Sequence, residues 1–294
     1  MNTRREFIGG SDVAAILGIS KWKTAYQLWL EKTGQENGEP TNEQRERVLA
    51  RGKRLEPVVL DMLAEETGIE ITARNQRYKD SELPFMACEI DAESGDTNVE
   101  IKTVHPFAAK DWGDEGTDEI PVYYTAQVMH GLSITQRKEC IVAALIGADD
   151  LRIHRVEYDA EAAEMIRNKV RWFWTDCVLG GVAPEPASLD DVRRMFARDI
   201  GTEINATVEV RNAVLRLKGI SEQIKVLDAE ADELKTRVQA YMEDDAVLTW
   251  DGKNLATWKT QKRSSLDQKA LAAAHPEIVE QFKRVSETRV FRIA

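Results

Sequence analysis

Between Cys88 and Thr103 the chain reads Cys-Glu-Ile-Asp91-Ala-Glu-Ser-Gly-Asp-Thr-Asn-Val-Glu100-Ile-Lys102-Thr, and this stretch constrains the fold more than any other. Ser94, Gly95, Asp96, Thr97 and Asn98 form a turn-rich break between the apolar run around Ile90 and Val99-Glu-Ile101, which predicts two antiparallel strands. Side chains alternate along a strand, so Glu100 and Lys102 share one face while Ile101 enters the core. Asp91 on the neighbouring strand then meets Glu100 across the sheet. Two carboxylates at one point repel unless a cation sits between them. Mg²⁺ suits that place, because it takes hard oxygen ligands and keeps several waters. Taken alone, the same spacing also fits a solvated sheet edge with an ion pair, so the flanks decide.

Downstream, Ile120-Pro-Val-Tyr-Tyr124-Thr-Ala-Gln127-Val-Met-His130 predicts an apolar helix opened by Pro121, where a missing amide donor is tolerated. Tyr124 and Gln127 stand three apart and share a face. Upstream, Arg51-Gly-Lys-Arg-Leu-Glu56-Pro-Val-Val-Leu-Asp-Met-Leu places one acid at the edge of a strongly apolar helix. Near the N-terminus, Arg4-Arg-Glu-Phe-Ile-Gly-Gly-Ser11 reads as a Gly-Gly turn feeding a helix capped by Ser11, an anion pocket with arginines nearby.

These four blocks, in this order over residues 4 to 185, resemble the PD-(D/E)xK nuclease superfamily, and within it the YqaJ-type viral recombinases related to the lambda phage exonuclease. The resemblance implies that Asp91 and Glu100 are metal ligands, with the Ile101 carbonyl as a further one. It makes Lys102 the water-orienting base or charge stabiliser, supported by Gln127. Glu56 becomes the helical acid that completes the site through water or a second ion. Arg4 or Arg5, with Ser11, falls where the family grips a 5′-terminal phosphate, and Tyr124 joins the DNA-contacting residues. One local departure is the pair of extra acids, Glu93 and Asp96, in the turn; Asp91 is preferred as ligand because it follows the apolar Phe85-Met-Ala-Cys-Glu-Ile run.

The implied activity is Mg²⁺-dependent 5′-to-3′ digestion of double-stranded DNA ends, with Mn²⁺ as a substitute metal, leaving 3′ overhangs for a single-strand annealing protein in phage or prophage recombination. The lambda member is a ring trimer, which implies a homo-oligomer. A restriction-type endonuclease on the same core is a rival, and a non-catalytic DNA-binding or assembly module is another, the latter disfavoured by the intact acid, acid and lysine set.

The chain has 294 residues, enough for one large domain and an appendage. No run approaches the roughly 20 apolar residues of a membrane span, and Met1-Asn-Thr-Arg-Arg lacks the apolar core of a signal peptide. A cytoplasmic enzyme is therefore expected. Cys88, Cys140 and Cys177 stand apart, which fits neither a disulfide framework nor the four-thiolate cluster of the superfamily's iron-sulfur nucleases. A net charge of −11 excludes a uniformly basic surface, yet an enzyme that encloses DNA needs basic residues only along a channel. Arg45 and Arg47, Arg51, Lys53 and Arg54, and Arg74, Arg77 and Lys79 are candidates for that path, or ordinary solvated faces. His105, His130, His154 and Cys140 lack ligand spacing and read as packing or surface.

The expected class is α/β, with helices on a mixed sheet (α+β), in three parts: a nuclease domain over 1–186, a helical heptad arm over 187–245 and a small basic tail over 246–294. In the first part, helices are expected over 11–17, 24–32, 41–67 and 160–179, with a polar loop over 35–40. Strands are expected over 70–78, 85–91, 99–104, 139–146 and 152–158. Val210, Ala213, Leu217, Ile220, Ile224, Leu227, Ala231, Leu234, Val238 and Tyr241 step by three and four, a seam that must pair within the chain or with another subunit. In the tail, nine Lys or Arg stand against five Asp or Glu, a net +4. It reads strand, strand, helix, strand, the last over 289–293. Trp258, Lys259, Lys262 and Arg263 interleave aromatic and basic groups as single-strand binders do, although a hairpin with tryptophan in its core fits better.

Overall fold

In a computed structural model, residues 4–36, 43–284 and 287–293 are described, and the side chain of Arg45 is not. Pro40, Thr41, Asn42 and Ala294 lie outside the described residues, as does the second half of the loop expected over 35–40. The chain divides into two compact units, Met1–Met195 and Phe196–Ala294.

The first unit opens with a short 3₁₀ turn, Arg4–Glu6, and α1, Gly10–Ile16. Gly9, not Ser11, is the N-cap of α1, and Asp12 accepts the Gly9 N–H at 3.2 Å. Ser11 sits inside the first turn because Gly10 extends the helix one residue earlier than expected. Helix α2, Ala25–Thr33, is bounded by a Thr24/Gln27 capping box and by Gly34, whose φ of 71° only glycine adopts cheaply. Helix α3, Glu43–Thr67, continues through Pro57.

Five strands follow: β1, Ala73–Lys79; β2, Ala87–Ser94; β3, Thr97–Val104; β4, Glu139–Ile146; and β5, Asp150–Glu157. They form one mixed sheet in the order β1-β2-β3-β4-β5. Strands β3 and β4 are parallel, linked through α4, Val122–Thr135; the other neighbours are antiparallel. The turn between β2 and β3 is tighter than expected. Only Gly95 and Asp96 lie outside the strands, with φ 56° at Gly95. Helix α5, Ala160–Trp172, runs on as a π-helical stretch to Leu179.

Every residue of β4 after Glu139 is buried, as expected for a strand covered on both faces. Cys140, Val142, Ala144 and Ile146 join the larger core, with residues of α1, α2, α4 and α5. Ile141, Ala143 and Leu145 join a second core with Val59, Leu60 and Leu63 of α3. The unit is thus three-layered, helix, sheet, helix. It also extends past the expected end at 186: helix α6, Leu189–Met195, belongs to it, and buried Asp191 accepts the Thr24 hydroxyl at 3.0 Å.

In the second unit, α7 runs unbroken from Val208 to Met242, so the apolar seam does not fold back on itself. A two-stranded hairpin follows, β6, Val247–Trp250, and β7, Lys253–Thr257, then α8, Gln268–Ala274. Three features of the tail differ from expectation, the first being that Trp250 and Trp258 are 74% and 47% exposed, so the hairpin has no tryptophan core. Pro276–Phe282 forms a further helix, α9, started by Pro276 in its first turn. Residues 289–293 form no strand; Phe291 and Ile293 instead lie beside Leu217, Ser221 and Lys225 of α7. The run has β propensity but pairs with none of the described strands, and propensity without a neighbour is weak.

Candidate active site

The site arises where two strands part. Strands β2 and β3 pair only from Ser94↔Thr97 to Ala92↔Val99. One step further, at Asp91 and Glu100, the ladder stops. Asp91 Oδ2 takes over by accepting the Ile101 N–H at 2.8 Å. Deeper in the fork Ile8 pairs with β2 in β3's place, and His130 Nε2 lies 3.0 Å from the Ala87 carbonyl. The N–H and C=O of one strand residue point to the same side, so the Ile101 carbonyl faces this fork too.

Alternation on β3 works as the sequence predicts. Ile101 packs into the α3 core, and Glu100 and Lys102 meet α4 on the other face. Glu100 Oε1 accepts from Lys102 Nζ at 2.5 Å and from Gln127 Nε2 at 2.5 Å, while Gln127 Oε1 accepts from Lys102 at 3.3 Å. The amide thus bridges acid and base, donating to one and accepting from the other. Lys102 Nζ also lies 4.7 Å from the centre of the Tyr124 ring.

Burial, and then the Glu100 carboxylate, push the Asp91 carboxyl above the ordinary carboxylate range. Burial pulls Lys102 down, but the Glu100 and Asp91 carboxylates outweigh it and hold Lys102 above the usual lysine range. Burial also raises Glu56, with Glu100 and Glu89 adding to it against Lys53 and Lys102. The cluster is short of positive charge.

A pocket of about 480 Å³ lies over this cluster. Asp91, Glu100, Ile101, Lys102 and Gln127 line it, Glu56 and Lys53 of α3 face it, and Arg4, Gly10 and Ser11 line it as well. Arg4 Nη2 is 3.3 Å from Ser11 Oγ, whereas Arg5 is outside the pocket and 3.7 Å from Glu36. Of the basic clusters, Lys53 and Arg77 line the pocket. Arg74 pairs with Asp61 at 3.0 Å and Arg47 with Glu43 at 3.3 Å. The two extra acids stand elsewhere: Asp96 is exposed in the turn, and Glu93 accepts from Tyr78 at 2.6 Å and pairs with Arg137 at 3.0 Å. His130, His154 and Cys140 are buried in the core, and His105 is exposed.

The donor set fits a hard divalent cation. Two adjacent carboxylates, one with a raised pKa, and a carbonyl are oxygen ligands of the kind Mg²⁺ takes, and water fills its remaining positions. Glu56 lines the same pocket, and among the described residues no three acidic, His or Cys side chains converge on one point.

Two residues that sequence reasoning passed over hold the N-terminal wall. Lys32 is buried, and its Nζ donates to the Arg4 carbonyl, the Phe7 carbonyl and Asp12 Oδ2, each at 2.7 Å. This buried pair ties the segment carrying Arg4 to α1 and α2. No short-range signal reveals it, because Asp12 and Lys32 are 20 residues apart on different helices.

A family model described as the YqaJ-like viral recombinase domain matches residues 1–138. The YqaJ protein of Bacillus subtilis (strain 168) is 31% identical over 299 residues, which cover 99% of this chain and 92% of the relative. Among solved structures, LHK-Exo in complex with dAMP is similar at 18% identity and a TM-score of 0.50, covering 66% of this chain and 95% of that one. Another structure of this alkaline exonuclease, from Laribacter hongkongensis, gives 16% identity and a TM-score of 0.48, with 66% and 95% coverage.

Proposed function

We propose that this chain, which belongs to the YqaJ-like viral recombinase family, is a Mg²⁺-dependent 5′-to-3′ double-strand DNA exonuclease that leaves 3′ overhangs for a single-strand annealing protein. The observation that carries the reading is the Asp91, Glu100, Lys102 and Gln127 cluster, facing the same pocket as Arg4 and Ser11. Bound Mg²⁺, with Mn²⁺ as a substitute, would supply Lewis-acid charge and acidify a water. Asp91, Glu100 and the Ile101 carbonyl would hold it.

The chain's own groups do the rest. Lys102, kept protonated by its two acidic neighbours, donates to the attacking water or to the phosphoryl oxygens and offsets charge developing there. Gln127 fixes Lys102 and Glu100 together, and Glu56 would help hold the cation through a water or a second ion. Arg4 with Ser11 offers a cation and a hydroxyl to a terminal phosphate, which carries more charge than an internal diester. The protein works on duplex ends as a homo-oligomer in the cytoplasm of a bacterial host. The LHK-Exo neighbour, an alkaline exonuclease crystallised with a nucleoside monophosphate, agrees with that chemistry.

Digestion of linear duplex labelled at either end, with and without Mg²⁺ and beside a covalently closed circle, tests the reading. Loss of the 5′ label first, only with metal and only on linear DNA, is the expected result. Asp91→Ala and Glu100→Ala should remain folded and be inactive, since each removes a ligand and relieves carboxylate repulsion. Sustained cutting of the circle would favour a restriction-type endonuclease, and full turnover by either variant would remove the site assignment.

A further inference from the structure

The charges flanking the seam of α7 select one partner geometry. Ile224 and Leu227 are 52% and 61% exposed, so apart from Leu217, which lies beside Phe291 and Ile293, the helix leaves its apolar strip uncovered. From Val210 to Leu234 the strip is about 36 Å long at about 1.5 Å per residue. Along one flank, every seventh residue reads Glu209, Arg216, Gln223, Glu230, Arg237. About Gln223 this series is its own electrostatic mirror: Glu209 is opposite in sign to Arg237, and Arg216 to Glu230.

In antiparallel coiled coils this flank meets the same flank of the other helix, and charges there set partner and orientation. Two copies crossing at Gln223 therefore set Glu209 against the partner's Arg237 and Arg216 against the partner's Glu230. The core layers agree with that register. Leu217 faces the partner's Leu227, Ile220 faces the partner's Ile224, and small Ala213 faces small Ala231 of the partner subunit. A slip of one heptad in either direction sets Glu209 against the partner's Glu230, or Arg216 against the partner's Arg237, and like charges across an interface are costly. Parallel pairing opposes charges only at Glu230 and Lys235, and leaves Arg216 facing a serine. Arg237 now makes an exposed pair with Glu233 at 3.3 Å, which is weak enough to exchange.

We propose that α7 pairs with α7 of a second copy of this chain as an antiparallel, two-fold coiled coil centred on Gln223, doubling whatever assembly the first unit forms alone. The contact is isologous, so it closes on itself. The inference does not depend on the nuclease reading.

Sedimentation of the full chain gives the test. Arg216→Glu and Glu230→Arg should each raise the dissociation constant of the doubled species by about tenfold or more, and the double swap should restore it. The three native cysteines are buried, so added thiols report cleanly. Ala213→Cys with Ala231→Cys should cross-link two chains on oxidation, and neither single variant should, because in this register the two copies of residue 213 lie about 27 Å apart. An odd number of chains, swaps without effect, a double swap that fails to restore the mass, or cross-linking by Ala213→Cys alone would each overturn the proposal.

Discussion

Gly10 of α1 and Gln127 of α4 approach so closely that a Cβ on residue 10 would stand 2.9 Å from Gln127 Cγ and 3.6 Å from its carbonyl oxygen. The helix carrying the N-terminal wall is therefore in direct contact with the amide that bridges Glu100 and Lys102. Gly10→Ala must push Gln127, and displacements of about 1 Å near reacting groups can cost on the order of 10²-fold in rate. DNA hydrolysis should fall by roughly 10- to 100-fold with little loss of metal binding. Gly9→Ala is the control, because its Cβ would meet only Phe7 at 3.4 Å and Asp12 at 4.0 Å, and the residue has an ordinary extended backbone. Equal turnover in the two variants would remove the proposed coupling.

Lys102→Met keeps the stem and removes the charge. Duplex and metal binding should persist while the rate falls by roughly 10²-fold or more, the scale of losing one positioned electrostatic group. Metal titration beside single-turnover rates separates the outcomes. Weak metal binding with a normal rate at saturation would leave Lys102 only a structural role.

The face shared by Glu100 and Lys102 was legible because strand alternation is strict, and Gln127 and Tyr124 because three residues on a helix fix a common face. The fork was not. Beyond Ala92↔Val99, where β2 and β3 part, Ile8 enters to pair with Met86, 78 residues downstream of it, and no local pattern encodes such an insertion. The basic clusters also split: Arg47 pairs with Glu43 one helical turn away, a spacing the sequence does show, whereas Arg74 found the distant Asp61, and Lys53 and Arg77 turned to the pocket. Residues 289–293, Arg-Val-Phe-Arg-Ile, have strand-forming side chains, but such propensity does not show whether a neighbouring strand is there to pair with.

Acid stability should depend on two ion pairs that lie outside the proposed ligand set. Burial would raise Asp80, but its hydrogen bonds with Arg167 and the Leu83 and Glu82 amides outweigh it and hold the carboxyl below the usual range. Arg137 holds Glu93 low, with Tyr78 adding to it against burial. Both folded pKa values lie below the unfolded ones, so this stability is fully present above roughly pH 4–5 and is lost as the pH falls through the folded values. Thermal midpoints should decline below about pH 4. Asp80→Asn should lower the neutral midpoint by several degrees, for a loss of about 1–3 kcal/mol, and flatten the acid limb. A limb as steep as that of the unmutated chain would assign the effect elsewhere.

The 5′ end gives the sharpest discrimination. Arg4 and Ser11 line the pocket and Arg5 does not, so a 5′-phosphorylated duplex should be degraded faster than a 5′-hydroxyl duplex at one fixed salt concentration, since phosphate contacts are screened. Arg4→Ala should erase that preference more than it lowers basal cleavage, and Arg5→Ala should keep it. Lys32 adds a test of positioning. Its three 2.7 Å bonds hold the Arg4 and Phe7 carbonyls and Asp12, and Lys32→Met leaves all three without that donor. It should lower the thermal midpoint and also blunt the 5′-phosphate preference, although Lys32 donates to the backbone of that segment and not to DNA. If Lys32→Met lowers the midpoint while the preference stays whole, the buried pair serves stability alone. If both ends are degraded equally by the unmutated protein, Arg4 and Ser11 are not the phosphate grip.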